Sequence, residues 1–403
     1  MIPLFLHFIA LHFSLKVPAV FFYASTRMML AALTAGCFTI FFGPRFIQKL
    51  YALKMGQSIR VADCPGLAQL HEKKKDTPTM GGILILSSML TSLILWMDLS
   101  SVFTVILAIT TIWLGLIGGT DDYLKLKHKN SKGLSARRKM IFQTLFAVFL
   151  SLYLYCPMVT KTVAFEDLFV SPTAKEHVIE DAQDVMQQRS LQQYSGQYYF
   201  PFLKDPLFVL SGTGLFVAFV ITWFTVTGAS NAVNLTDGLD GLAAGCLVMV
   251  SVVLGIFGFF SNNIEMARYL NILYIEGSGE IAVYLFAMAG ACLGFLWYNG
   301  YPAQVIMGDT GSLALGGILG VSAVLMRREL LLALIGGIFV IETLSVILQV
   351  GSYKLRNRKR IFLCTPIHHH FEYKGWPETK VVIRFWIVGF LFVMIGLASL
   401  KFQ

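Results

Sequence analysis

The chain has 403 residues, 56% of them hydrophobic and 14% charged, with a formal net charge of +9. Soluble globular domains carry roughly a quarter charged residues, so a water-soluble protein is excluded and the chain reads as one integral-membrane domain over 1–403. The positive excess lies in loops pinned at a bilayer, which argues against nucleic acid as a partner and favours anionic headgroups and phosphorylated substrates.

A hydrocarbon core about 30 Å thick needs roughly 20 apolar residues of helix. Ten runs of that order follow one another: Phe21 to Gly43, with Arg27 near its start, Met80 to Met97, Val102 to Gly119, Met140 to Thr160, Pro206 to Thr227, Gly241 to Asn263, Ile281 to Trp297, Thr310 to Met326, Leu330 to Ser352, and Val381 to Leu400. They are continuous and do not alternate, so helices rather than barrel strands are expected: an all-α polytopic membrane protein of about ten transmembrane helices. Gly115/Gly119, Gly241/Gly245, Gly290/Gly294 and Gly316/Gly320 have the small-xxx-small spacing of close helix packing.

The loops set the orientation. Pro44 to Thr79, Thr120 to Lys139 and Tyr353 to Lys380 hold seven Lys or Arg each, whereas the alternate loops together hold Lys161, Lys175, Arg189, Lys204, Arg268, Arg327 and Arg328. The basic loops are therefore expected in the cytoplasm and both termini outside. The first fifteen residues are apolar but interrupted by His7 and His12. No small-residue cleavage site follows, so an interfacial start is expected rather than a signal peptide. Six scattered cysteines without CxxC spacing predict neither a disulfide framework nor a zinc site. An acidic outer segment, about 161–205, reads as an extracytoplasmic or partly disordered insert without a catalytic pattern.

Five loops expected on the cytoplasmic face carry the chemistry. Asp121 and Asp122 stand where one helix leaves the membrane, and Asp309 just before another. Such carboxylates repel one another unless a cation intervenes, and the absence of a His/Cys cage suits Mg2+ shared with phosphate oxygens. Lys73 to Lys75 precede Thr77-Pro78-Thr79-Met80-Gly81-Gly82, and Lys125, Lys127, Lys129 and Lys132 follow the Asp pair. Beside a metal they read as pyrophosphate clamps, the positioning and charge neutralisation on which phosphoryl transfer depends. Asn234, Asp237 and Asp240 suit a sugar or base hydroxyl or the metal's surroundings, with an N-cap at Thr236 or Asp237 as the structural alternative. His368-His369-His370 could not converge on one metal from a helix, so a phosphate or substrate role is expected. Glu342 is an acid in mid-span that requires a partner.

Taken together, Thr77 to Gly82, Asp121-Asp122-Tyr123, Asn234-Leu235-Thr236-Asp237-Gly238-Leu239-Asp240-Gly241, Gly308-Asp309-Thr310-Gly311-Ser312 and Pro366-Ile367-His368-His369-His370-Phe371-Glu372 resemble the phospho-N-acetylmuramoyl-pentapeptide transferases. These form a branch of the polyprenyl-phosphate N-acetylhexosamine-1-phosphate transferases. The resemblance spans the whole chain, and the triple histidine is specific to the branch. It implies a ten-helix, Mg2+-dependent homodimer of the bacterial inner membrane, surrounded by membrane lipids. Such an enzyme moves phospho-MurNAc-pentapeptide from UDP-MurNAc-pentapeptide to undecaprenyl phosphate, forming lipid I and UMP for peptidoglycan synthesis.

By the same resemblance Asp309 is the principal metal ligand. Asp121 and Asp122 are the catalytic pair that shares the metal, with Asp121 deprotonating the lipid phosphate. Lys74, Lys125 and Lys129 hold phosphates. Asn234, Asp237, Asp240, Asn299, Gln349 and His369 line the nucleotide and sugar pocket, with Thr79, Gly308, Ser312, His368 and His370 around them. Ile306 stands where the family carries phenylalanine. Two other readings are kept: a sister transferase using UDP-GlcNAc, and a secondary transporter built on glycine-broken helices.

Overall fold

Helix fills most of each apolar run in the computed structural model, which describes residues 2, 12, 18–53, 77–128, 133–164, 168–180 and 183–401, although the run from Pro206 is extended at Phe208–Val209 and becomes α-helical only at Leu215. Lys74, Lys129 and most of the apolar N-terminal stretch lie outside the described residues. Among the described residues, eight helices are long and apolar enough to cross a membrane. The chain is a multi-pass membrane protein.

The helices are α1 Ala24–Ala52, α2 Gly82–Trp96, α3 Val102–Lys127, α4 Ala136–Tyr155, α5 Pro157–Val163, α6 Leu191–Ser195, α7 Leu215–Thr236, α8 Leu242–Ser261, α9 Ile264–Tyr269, α10 Gly279–Asn299, α11 Gly308–Leu325, α12 Glu329–Ile335, α13 Gly337–Leu355, α14 Ile367–Tyr373 and α15 Glu378–Ala398. Two predicted runs are broken. Cys156 is extended before Pro157, as the residue before a proline prefers, and α4 and α5 meet at 93°. The ninth run divides at Gly336 between α12 and α13.

Helix α11 is the centre of the bundle. All its residues from Thr310 to Leu325 are buried, and it packs along α3 and α7, the two helices that carry the Asp121-Asp122 and Asn234 motifs. Gly316 and Gly320 lie against the α7 backbone, and Gly290 and Gly294 of α10 against that of α1. The predicted small-residue spacing thus marks two backbone-to-backbone crossings. The remaining glycine pairs mark no such backbone pairing: Gly245 faces the Trp386 ring, Gly115 meets the Leu86 side chain, and Gly118 abuts the α11 backbone while Gly119 touches only the Thr310 side chain.

The expected outer insert is ordered where it is described, and it departs from an all-α fold. Strands β1 Ala174–Glu180 and β2 Gln183–Arg189 form an antiparallel hairpin, and β1 continues onto β5 Tyr274–Ile275. A second pair joins β3 Gln197–Tyr198 to β4 Phe208–Val209. Phe169 N–H donates to Ser100 O at 2.9 Å, which fixes the insert at the N-terminal end of α3. Asp121 lies at the other end of that helix, 26 residues long. At about 1.5 Å per residue the separation is roughly a membrane thickness.

Candidate active site

The site is built around the start of α11. Gly308 precedes Asp309 with φ +75°, a left-handed backbone that favours glycine. A Cβ at Gly308 would lie 2.7 Å from Asp122 Oδ2 and 2.8 Å from Thr79 Oγ1. This close approach seats the first turn of α11 on the Asp122 carboxylate. The Asp309 and Thr310 N–H groups donate to it at 3.2 and 2.9 Å, and the Thr310 hydroxyl donates at 2.7 Å. Asp122 is 2% exposed. It caps α11 from a neighbouring helix, satisfying N–H groups that no intrahelical carbonyl can reach and meeting the positive end of the helix dipole.

Asp121 and Asp309 face each other beside this cap. One carboxylate oxygen each from Asp121, Asp122 and Asp309 lie within 4.8 Å of one another. Asp121 Oδ1 accepts the Leu134 N–H at 2.6 Å. Lys125 Nζ is 2.6 Å from Asp121 Oδ2 and 3.1 Å from Asp309 Oδ2, and Lys139 Nζ is 3.0 and 2.5 Å from the same atoms. Two ammonium groups thus offset the mutual repulsion of the carboxylates. Sequence reasoning missed Lys139. It was available as the last cation of the loop after the Asp pair, but it was read only as topology charge.

Asn234, on the last turn of α7, donates through Nδ2 to Asp309 Oδ1 at 2.9 Å and to Ser312 Oγ at 2.8 Å. The Thr77 to Gly82 segment is hydrogen-bonded to the approach to α11: Ile306 N–H donates to Pro78 O, and the Gly81 and Gly82 N–H groups donate to Ile306 O and Met307 O. The backbone of Ile306 is therefore fixed from both directions. Asp237 follows α7, its own N–H donating to Val233 O. Burial, reinforced by the charges of Asp309, Asp122 and Asp240, pushes its carboxyl up to about 8. The N-cap expected at Thr236 or Asp237 does not form: Thr236 ends α7 with its hydroxyl on Ala232 O, and α8 begins after Gly241 with no side-chain cap.

Other sequence-predicted residues brace the loops. Asp240 Oδ2 accepts the Ala303 N–H at 3.0 Å, while its own N–H donates to Glu378. Asn299 accepts the Gly241 N–H and donates to Val305 O. Gln349 accepts the Ile361 and Phe362 N–H groups and donates to Phe362 O, tying the basic loop after α13 to that helix.

The three histidines lie on the short helix α14, and each meets a different partner. His370 Nδ1 accepts the Leu363 N–H at 3.1 Å. His369 Nδ1 is 2.7 Å from Glu372 Oε2. His368 is fully buried, with Nδ1 3.0 Å from Glu342 Oε1, so the mid-span acid finds its partner in the histidine motif. The imidazole of His368 also rests on Gly238, which links α14 to the Asn234 to Gly241 turn. All five predicted segments are therefore joined, while Lys74 and Lys129 lie outside the described residues.

A helix-buried, lysine-flanked carboxylate cluster at one end of a multi-pass bundle defines a membrane-embedded group transferase, and residues 104–327 match the family described as glycosyl transferase family 4. Residues 74–86 match phospho-N-acetylmuramoyl-pentapeptide-transferase signature 1. The chain is 62% identical over 397 residues, 97% of each chain, to a phospho-N-acetylmuramoyl-pentapeptide-transferase of Protochlamydia amoebophila (strain UWE25). The chain belongs to the phospho-N-acetylmuramoyl-pentapeptide-transferase family.

Proposed function

We propose that the chain transfers phospho-MurNAc-pentapeptide from UDP-MurNAc-pentapeptide to undecaprenyl phosphate, giving lipid I and UMP. The observation that carries this reading is the convergence of Asp121, Asp122 and Asp309 with Lys125 and Lys139 at one end of the bundle, in a chain so close to a relative bearing that name.

The donor set is all carboxylate oxygen, which fits a hard divalent cation such as Mg2+. Asp309, Asp121 and Asp122 would hold it, with Asp122 also seating the start of α11. When bound, the cation neutralises pyrophosphate charge and polarises the phosphoryl group. Lys125 and Lys139 present ammonium groups to the phosphates, joined by Lys74 and Lys129. Asp121 takes the proton of the lipid phosphate. Asn234 orients Asp309; Asp237, Asp240, Asn299, Gln349, His369 and His370 shape the nucleotide and sugar pocket, with His369 held by Glu372 and His368 buried behind it. The charge asymmetry of the loops supports ten spans with both termini outside and the site on the cytoplasmic face of the inner membrane. The family resemblance supports a homodimer.

Purified protein with polyprenyl phosphate and Mg2+ is expected to release UMP from UDP-MurNAc-pentapeptide and not from UDP-GlcNAc. Release from UDP-GlcNAc alone would favour the sister transferase. Solute movement across liposomes without UMP release would favour a transporter.

A further inference from the structure

Glu342 sits in the interior of α13, and His368 on α14 is equally inaccessible to solvent. Glu342 Oε2 and His368 Nε2 have no hydrogen-bond partner among the described residues. A buried carboxylate is expensive unless its contacts return that cost, so the pairing asks for a purpose. The far edge of the imidazole presses on Gly238, where a Cβ would overlap the ring. The Gly238 turn follows the end of α7, where Asn234 Nδ2 donates to Asp309 Oδ1 at 2.9 Å. Glu342 therefore reaches, through His368 and the Gly238 turn, the segment that holds Asp309.

We propose that Glu342 and His368 are positioning residues. Glu342 sets the ring orientation of His368, and the ring props the Gly238 turn so that Asn234, at the end of the same segment, holds Asp309 in register with Asp121. His368 acts through Gly238, whereas His369 and His370 on the same helix turn to Glu372 and to the Leu363 backbone.

The inference rests on the transferase reading above, and the same assay separates the two. If the wild-type protein releases no UMP, that reading fails; if it is active and the variants below are indifferent, only the positioning role fails. Glu342→Leu is expected to lower kcat at least about 10-fold, with KM for both substrates changed by less than about twofold, because a misplaced cluster loses transition-state stabilisation rather than uniform binding. Glu342→Gln, which keeps an acceptor oxygen, is expected to stay within about threefold of wild type. In a His368→Phe background Glu342→Leu should cost no more than about twofold, since two residues acting as one unit are not additive. Gly238→Ala, which leaves the buried pair chemically intact, should also lower kcat about 10-fold, and it serves where Glu342→Leu does not fold. Unchanged kcat in Glu342→Leu or Gly238→Ala, a loss confined to donor KM, a Glu342→Gln variant as defective as Glu342→Leu, or additive losses would each overturn the proposal.

Discussion

Two adjacent carboxylates with the same chemistry take different work because their lone pairs meet different partners. Asp122 has its oxygens engaged by two backbone N–H groups and a hydroxyl of α11, while Asp121 Oδ2 and Asp309 Oδ2 meet lysines. Hydrogen bonds to a charged acceptor contribute about 1.5–3 kcal/mol each. Asp122→Ala should therefore lower the apparent melting temperature in detergent well beyond Asp309→Ala, although both abolish turnover. Equal melting shifts would remove the capping role from Asp122.

Asp237 gives a pH signature of its own. Its carboxyl is raised from the ordinary 3.8 to about 8. Between those values the folded state keeps a proton that the unfolded state has released, so this group's stabilisation is complete below about 4 and is lost as pH rises through about 8. With a chelator present, Asp237→Asn should flatten the fall in apparent melting temperature over that window. A slope identical to wild type would refute the assignment.

At the scale of elements, the short α14 and the basic loop before it owe their placement to side chains on α13. Gln349 makes three hydrogen bonds to the backbone of Ile361 and Phe362, and the Ser352 hydroxyl donates to Lys359 O. Arg356, Arg358, Lys359 and Arg360 are exposed on that loop. Trypsin cleavage there reports local opening. Gln349→Ala should accelerate it about 10-fold while the helices stay intact, each lost hydrogen bond contributing about 1 kcal/mol. An unchanged cleavage rate would mean that other contacts hold the loop. None of these anchors was legible in the sequence, because Gln349 offers the same donor and acceptor to a nucleotide as to a backbone. Glu342 was legible as an acid in need of a partner, but not as the partner of His368, 26 residues away.

At the scale of the molecule, the two ends of the bundle differ in charge and in structure. The insert with its hairpin caps one end, and the carboxylate cluster lies at the other. The loop charges predict that the cluster end faces the cytoplasm. A Lys204→Cys variant should react with an impermeant thiol reagent on intact cells, in a background with the native cysteines removed. Arg358→Cys should react only after permeabilisation, and the reverse pattern would invert the topology.

The membrane class, the helical character of most of the apolar runs and the residue types at the site were determined by the sequence alone. Apolar length and the distribution of Lys and Arg act locally through the bilayer, whatever the helices later touch. The tertiary structure decided the rest: that Asp122 caps a helix, that Lys139 joins Lys125 between Asp121 and Asp309, that the acidic insert contains a hairpin, and that a histidine triplet divides among three partners. The cap and the lysine contacts to Asp309 depend on helix crossings that bring residues 170 to 188 positions apart within hydrogen-bonding reach. A carboxylate has no local preference for which of several donors it will meet.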